Sequence, residues 1–415
     1  MAKFSFLHAA DLHLGSSFEG LSLKDEELAR RFAAASREAF HALVDAALSE
    51  KVAFVVIAGD IYEGEWRDAS IGLFFNREVA RLDRAGIGVF LLKGNHDAES
   101  VVTKSVTLPP NVRQFPTRAP KSFEIADLEV VLHGRSFPDR AVGENYALTY
   151  PAARPGWFNI GVLHTSCTGR PPHDPYAPCS VEDLATRGYQ YWALGHVHTH
   201  EILSRDPLVV YPGNLQGRSI RETGPKGAVL VEVEDGVARE PRRIILDKAR
   251  WERIEIDLAG VTEECAALAR IDERLSNIAR EAGERLVATR IELIGATALH
   301  RRFAADRQRL RDEVQAAAHR LHEDIWIEDV RLRTSESTAG RKPAAAEDAL
   351  DPVALLAGLE KDPGLRAEAE GLLSTITSKL PASALSGEKG LADDLDTLMS
   401  EAVALVLGRL EAEER

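Results

Sequence analysis

The sequence predicts an α/β protein built on two sheets, followed by a small α+β domain and a helical tail. Three observations carry that prediction. Short apolar runs alternate with amphipathic helical stretches over about the first hundred residues, strand patterns with few helices follow to about residue 245, and a further strand-helix alternation comes after that. With 415 residues, 45% of them hydrophobic and 28% charged, the chain is long enough for two or three domains of roughly 150 residues each.

Phe4–Ala9, Val52–Ala58 and Ile87–Leu92 are apolar runs of strand length bounded by polar or glycine turns, and each reads as a buried strand. Between them, Lys24–Glu50 places Leu28, Phe32, Ala35, Ala39, Leu43 and Ala46 at helical steps, and Ala69–Arg84 reads as a second helix. Strand, helix, strand, helix, strand implies a parallel sheet covered by helices. A hairpin turned at Ala126-Asp127 then opens a second, mixed sheet, with further strands at Trp157–Leu163, Tyr189–Leu194, Leu208–Tyr211 and Ala228–Val233 and a return strand at Arg243–Leu246. These elements make a domain over residues 1–245. Residues 246–335 form the α+β unit: strands at Trp251–Asp257, Arg285–Leu293 and Asp324–Leu332, helices at Thr262–Ala279 and Phe303–Leu321. A Ser-, Ala- and Gly-rich linker over 336–348 leads to a helical tail over 349–415.

The tail opens at Asp351-Pro352, an N-cap followed by proline, and two later stripes run through Leu365, Ala369, Leu372, Ile376 and Leu380, and through Leu391, Leu395, Leu398, Ala402 and Leu405. Residues 341–415 carry 8 Lys and Arg against 15 Asp and Glu, a balance of −7 out of the chain's −14. A chain-wide basic surface for nucleic acid is excluded, so any such contact is local. Cys167, Cys179 and Cys265 are odd in number and lack C-x-x-C spacing, which fits neither a disulfide framework nor a zinc ribbon and suggests buried or idle thiols. No stretch approaches the about 20 apolar residues of a membrane span, and the N-terminus lacks a signal-peptide pattern. A soluble cytoplasmic protein with no membrane partner is expected.

Chemistry concentrates where strands end. Asp11-Leu12-His13, Gly59-Asp60, Gly94-Asn95-His96-Asp97, His164 and Gly195-His196-Val197-His198 each follow an apolar run. Carboxyl ends of strands converge on one crevice in open α/β sheets. Asp11 and His13, like His196 and His198, are two residues apart, which in extended backbone projects each pair on one face. Asp, Asn and His without Cys suit Mn, Fe or Zn, and there are more donors than one ion needs. One ion can take Asp11, His13 and His198, a second Asn95, His164 and His196, with Asp60 between them. Such a pair can clamp the attacking and leaving oxygens of a phosphoester. Any one motif alone would more often be structural; five in order point to a metal site. His8, His133, His173 and His200 fall outside the pattern and read as core or surface residues.

These motifs, D-x-H, GD, GNH[D/E], H and GHxH, resemble the calcineurin-like metallophosphoesterases, whose domain is a two-sheet sandwich flanked by helices. Leu7 to Gly15 resembles the opening of the SbcD-type DNA repair nucleases, and Tyr211 to Arg218 with Glu222-Thr223-Gly224 and Lys226-Gly227 resembles their YhaO-type bacterial branch. The resemblance implies that Asp11, His13, Asp60, Asn95, His164, His196 and His198 hold two divalent ions, most readily Mn²⁺, and that His96 assists phosphodiester cleavage. Asp97, beside that imidazole, is expected to fix its tautomer and favour its charged form. Arg218 and Arg221 are candidates to grip the DNA backbone. The resemblance further implies a capping domain, DNA as substrate and an SbcC-like coiled-coil ATPase as partner, with the tail as a docking unit; a homodimer is one oligomeric option. A dimetal phosphodiesterase of small nucleotides is the alternative reading, and a non-catalytic scaffold is disfavoured because no ligand position is missing.

Overall fold

A computed structural model describes residues 3–16, 26–63, 70–99, 107–168, 176–337, 356, 362–379 and 395–413. Two compact units emerge, Met1–Glu252 with Glu284–Ala288, and Arg253–Gly283 with Thr289–Arg415.

In the first unit, β1 (Phe4–Ala9), β2 (Phe54–Ala58), β3 (Gly88–Leu92) and β4 (Val112–Gln114) run parallel. The strand expected over Ala228–Val233 in the second sheet instead completes this one, because its apolar residues pair with β1: β11 (Gly227–Glu234) runs antiparallel to β1 and also pairs with β12 (Val237–Ala238) and β13 (Arg242–Ile245). The second sheet has the order β5 (Lys121–Ile125), β6 (Val130–Gly134), β7 (Phe158–His164), β8 (Tyr191–Gly195), β10 (Leu208–Tyr211), β9 (Glu201–Arg205). Its four middle strands are parallel and its two outer pairings antiparallel.

Alternation along each strand explains the layers. Leu7 and Ala9 of β1, with Val55, Ile57, Val89 and Leu91, bury one face against α1 (Glu26–Ser49) and α2 (Ser70–Arg84), where Phe40, Leu43, Phe75 and Val79 wait. Phe4 and Phe6 point the other way and meet Phe54, Val56, Ile160 and Tyr191 between the sheets. Phe6 stacks on Phe54 with ring centroids 5.0 Å apart. At about 1.5–3 kcal/mol for each large side chain removed from water, these two layers hold the sandwich together. A third cluster around Trp192, Tyr150 and Tyr146, joined by Leu184 of α4 (Val181–Ala185), covers the outer face of the second sheet. His8 belongs to the inter-sheet layer: its Nδ1 lies 2.9 Å from Tyr191 Oη and its Nε2 3.1 Å from Leu194 O. Burial pushes its pKa down to about 3, so it is a neutral core histidine. His133 and His200 are likewise engaged, with Ser122 and with Tyr211 O, whereas His173 lies outside the described residues.

The sheets approach closely where the parallel strands end. A Cβ on Gly195, the last residue of β8, would stand 1.9 Å from Ala58 O at the end of β2. One on Gly94 would stand 2.2 Å from Asp60 Oδ1. Glycine is required at both positions by this approach of backbone and carboxylate.

In the second unit, β14 (Ala249–Asp257), β15 (Leu286–Thr297) and β16 (Ile325–Glu336) form one sheet in that order, the first residues of β14 and β15 being counted with the first unit. Helices α5 (Glu264–Ala282), α6 (His300–Ala305) and α7 (Arg307–Leu321) accompany it. The helix expected over Phe303–Leu321 is broken because Asp306 leaves helical geometry and caps α7, accepting a 3.0 Å bond from Arg309 N. β16 runs to Glu336, into the first residue of the expected linker, whose remainder from 338 lies outside the described residues, as does Asp351-Pro352.

Two tail helices are described, α8 (Pro363–Thr377) and α9 (Leu395–Glu413). Asp362 caps α8 through Leu365 N at 2.8 Å, with Pro363 at the first position. α9 packs on α6, buries Ala404 and Leu407, and is tied by Arg307–Glu401 at 3.1 Å. Its buried face is thus rotated from the expected stripe, since Leu398 and Ala402 are exposed. Leu365, Leu372 and Ile376 of α8 face solvent.

Candidate metal centre

The motif residues sit on loops that leave β1, β2, β3, β7 and β8, and these loops are braced to one another. Asp11 N donates to Gly59 O and His13 N to Asp60 O, each at 3.0 Å. His196 N, from the second sheet, donates to both Asp11 carboxylate oxygens at 3.1 and 3.0 Å. The expected extended geometry of Asp-x-His and His-x-His is corrected. Asp11, His13, Asp60 and His196 have φ of 52°, 43°, 52° and 100°, so tight left-handed turns rather than strand alternation aim these side chains.

Donor atoms converge in overlapping groups: Asp11, His13 and His198; Asp11, Asp60 and His164; and His13, Asp60 and His96, the atoms of each within 4.8 Å of one another. Asn95 Oδ1 joins from α3 (Asn95–Glu99), 3.0 Å from His164 Nε2. The His196 ring stands edge-on to His164 at 5.2 Å between centroids. Asp60 Oδ2 faces both sides, 3.4 Å from His164 Nε2 and 3.9 Å from His13 Nε2.

Whether these groups suit a cation can be read from the histidine tautomers. His13 Nδ1 lies 2.5 Å from Glu63 Oε2, and His198 Nδ1 lies 2.8 Å from Glu222 Oε1. Burial pushes both glutamates up, but their imidazole partners and Arg218 outweigh it and hold both well below the usual carboxylate range. An ionised carboxylate only accepts, so His198 Nδ1, hydrogen-bonded to Glu222, carries the proton and its Nε2 presents a lone pair, and the Glu63 charge beside His13 Nδ1 favours the same tautomer there. Those two Nε2 atoms face each other at 3.2 Å, beside Asp11. Two opposed lone pairs next to a buried carboxylate repel unless a cation lies among them. His164 is likewise held through Nδ1, 2.9 Å from Ala58 O, while its Nε2 is turned to Asn95 and Asp60 and becomes a donor to a cation once it has lost its proton. The donor set fits divalent ions.

The expected role of Asp97 is corrected. Its buried carboxylate accepts from the backbone N–H groups of Ile61, Tyr62 and Gly94 at 2.9, 3.0 and 3.0 Å, and so fastens the Gly94 turn to the Asp60 loop. Burial and the neighbouring Asp60 charge lift its pKa to about 6, against those three bonds. The carboxylate beside the imidazole is Glu63, whose Oε1 lies 3.2 Å from His96 Nδ1. Burial lowers the His96 pKa, but Glu63 and Asp60 outweigh it and raise it above its ordinary value. The Arg218 guanidinium is clamped between Glu63 Oε2 at 2.7 Å and Glu222 Oε1 at 3.0 Å, where it holds the two glutamates that face the histidines. Arg221 lies on the surface. Glu63 carried no recognisable signal, because a carboxylate three residues after Asp60 reads as ordinary surface charge until the fold is known, and Glu222, although part of the stretch that resembles the YhaO-type branch, gave no sign that it would meet His198.

Two predictions follow from this wiring. Glu222→Gln keeps the shape but lets the His198 tautomer turn, and should weaken divalent-metal binding about 10–100-fold by calorimetry. The second concerns pH. Burial lowers His164, but the Asp60 and Asp11 carboxylates outweigh it and lift its pKa to about 9, whereas burial and Arg218 push His13 down to about 4. A metal needs the neutral imidazole, so His13 is ready at neutral pH while His164 must first lose a proton. Metal binding to the metal-free chain should therefore release protons and tighten as pH rises from neutrality to about 9, then level off. Metal titrations in buffers of different ionisation enthalpy measure this, and a pH-independent affinity would contradict it.

Residues 4–200 match the calcineurin-like phosphoesterase family, and residues 251–335 match the middle domain of metallophosphoesterase YhaO. The chain is 35% identical over 286 residues to the uncharacterized metallophosphoesterase YhaO of Bacillus subtilis, covering 68% of this chain and 70% of that protein. The chain belongs to the calcineurin-like metallophosphoesterases. More distantly, this metallophosphoesterase is 23% identical to the DNA double-strand break repair protein Mre11 of Sulfurisphaera tokodaii, over 65% of this chain and 69% of that protein. A dimetal phosphatase from Danio rerio aligns in structure with 14% identity, 59% of this chain, 99% of that chain and a TM-score of 0.34, too loosely to argue from. A calcineurin-like metallophosphoesterase is a phosphoester hydrolase whose fold binds two divalent metals, and the donors described above are those available to them here. No helix among the described residues is long and apolar enough to cross a membrane.

Proposed function

We propose that this metallophosphoesterase is a Mn²⁺-dependent DNA nuclease, acting as an exonuclease and a single-strand endonuclease in DNA repair together with a coiled-coil ATPase. The observation that carries the reading is His96, a half-buried imidazole next to the donor cluster and backed by Glu63. A phosphodiester has a poor leaving oxygen that needs a proton, and a charged imidazole facing the crevice can supply it. Similarity to proteins named as Mre11 supports DNA as the diester.

Asp11, His13 and His198 would hold one ion, Asn95, His164 and His196 the other, with Asp60 shared. When bound, such ions supply positive charge for the phosphate oxygens and make water a stronger nucleophile near neutral pH. The chain supplies the rest. Glu63 accepts from His96 Nδ1 and favours the charged ring, whose Nε2 gives its proton to the leaving oxygen, and Glu222 with Arg218 holds His198 in its liganding tautomer. Imidazole donors favour Mn²⁺ over Mg²⁺, which prefers an oxygen-rich site.

Digestion of labelled single-stranded DNA and of cyclic nucleotides, side by side with Mn²⁺, tests the proposal. DNA cleavage that chelation abolishes and Mg²⁺ restores poorly is the expected result; hydrolysis of cyclic nucleotides alone would replace it with the small-nucleotide reading. For the ATPase, the exposed Leu372 and Ile376 on α8 offer the apolar contact. Replacing both with Glu should abolish co-purification with the ATPase and leave Mn²⁺-dependent cleavage intact. Cutting the tail away would be a poorer test, because α9 also covers α6.

A further inference from the structure

Cys167 and Cys179 are set side by side just beyond the metal-centre strand β7. The two residues form a parallel β-bridge, and Thr168 N donates to Cys179 O at 2.8 Å. Residues opposed in a parallel bridge point their side chains to the same face, with backbones about 4.8 Å apart. That spacing lies inside the about 4.4–6.8 Å between Cα atoms that a disulfide needs. Both side chains are buried in one apolar cluster. We propose that Cys167 and Cys179 are a thiol–disulfide site of this protein, converted by peroxide to an intrachain bond.

The surroundings equip Cys179 to react first. Thr165 Oγ1 lies 3.3 Å from its Sγ. Hydrogen bonding from the Cys167 thiol lowers the Cys179 pKa, burial opposes it, and Thr165 adds to the lowering. The Cys179 thiolate attacks one peroxide oxygen, giving a sulfenic acid and, after protonation, water. The Cys167 sulfur then displaces the sulfenic oxygen as a second water and forms the S–S bond. Overall, two thiols and one hydrogen peroxide give one disulfide and two waters; sulfur is oxidised and peroxide reduced.

The bond would join two segments that both border the site's histidines. Cys167 lies three residues beyond His164, and Cys179 three beyond Tyr176, whose ring stands edge-on to His196 at 5.2 Å. Ser166 N already donates to Tyr176 O at 2.8 Å. A covalent tie here replaces a seam now held by hydrogen bonds. Cys265, the third cysteine, is exposed on α5 and takes no part.

The full chain carrying Cys265→Ser is treated with hydrogen peroxide, alkylated after denaturation and digested without reductant. The expected result is one linked peptide pair containing residues 167 and 179, both thiols lost together, a monomer on a non-reducing gel, and full recovery with dithiothreitol. In Cys167→Ser, Cys179 should accumulate as a sulfenic acid that dimedone traps. Both thiols remaining titratable at peroxide levels that oxidise free cysteine would overturn the proposal. So would a bond formed between chains, or a Cys179 inert to peroxide in Cys167→Ser.

Discussion

Replacing His96 with alanine is expected to lower phosphodiester hydrolysis by about two to four orders of magnitude, the range that a positioned general acid contributes. Metal content should stay close to that of the unmodified chain. His96 Nδ1 is taken by Glu63, and His13, Asp60, His164 and His198 can hold cations without it. The experiment has a sharp alternative outcome, because a ring nitrogen of His96 lies within 4.8 Å of donor atoms on His13 and Asp60. If metal analysis of His96→Ala shows one ion lost, His96 is a ligand and the leaving-group proton comes from elsewhere. Glu63→Gln separates the roles further: it should lower activity at neutral pH and shift the pH–rate profile, because the imidazole loses the carboxylate that holds its proton.

Asp60→Ala should remove both metal and activity. The Asp60 carboxylate is the acidic group that faces His13 and His164 at once, at 3.9 and 3.4 Å, so no neighbour can take over on either side. The fall in affinity should exceed the about 10–100-fold typical of deleting an outer-shell partner. Two further effects act in the same direction. His96 N loses its 3.0 Å bond to Asp60 Oδ1, and alanine must adopt the φ of 52° found here, at a cost of about 1–2 kcal/mol. Asp60→Asn tolerates that turn and removes only the charge, so comparing the two variants separates electrostatics from backbone strain. Two tightly bound ions in Asp60→Ala would falsify the shared position.

The parts of the fold that could be read beforehand are those where burial leaves a one-dimensional trace. β1, β2 and β3 lie between two apolar layers, so their residues form unbroken apolar runs, as parallel strands do. β9 escaped because an edge strand pairing only with β10 carries Glu201 and Arg205 at its ends and shows no alternation. β4 is three residues long, below what periodicity can resolve. In the site, the order of motifs at strand ends was enough to bring Asp11, His13, Asp60, Asn95, His164 and His198 to one place. Partners chosen by the fold were not legible. Arg218 meets Glu63 across 155 positions, and Asp97 turns to the amides of Ile61 and Tyr62 although its sequence neighbour is the imidazole. In the tail, three- and four-residue steps gave helices, but the buried face of α9 depends on what covers it, here α6.

The left-handed turns at Asp11, His13, Asp60 and His196 limit how the centre could be re-engineered for another metal. Aspartate, asparagine and histidine are the side-chain-bearing residues most at ease at positive φ, and they are also oxygen and imidazole donors. Backbone and ligand chemistry therefore select the same small alphabet at these four positions. Converting the site to a thiolate or glutamate donor set would disturb the turn as well as the coordination. Libraries aimed at a new metal would do better to vary His164 and His198, which are outside the positive-φ set and whose rings are steered by partners from other loops, Ala58 O and Glu222.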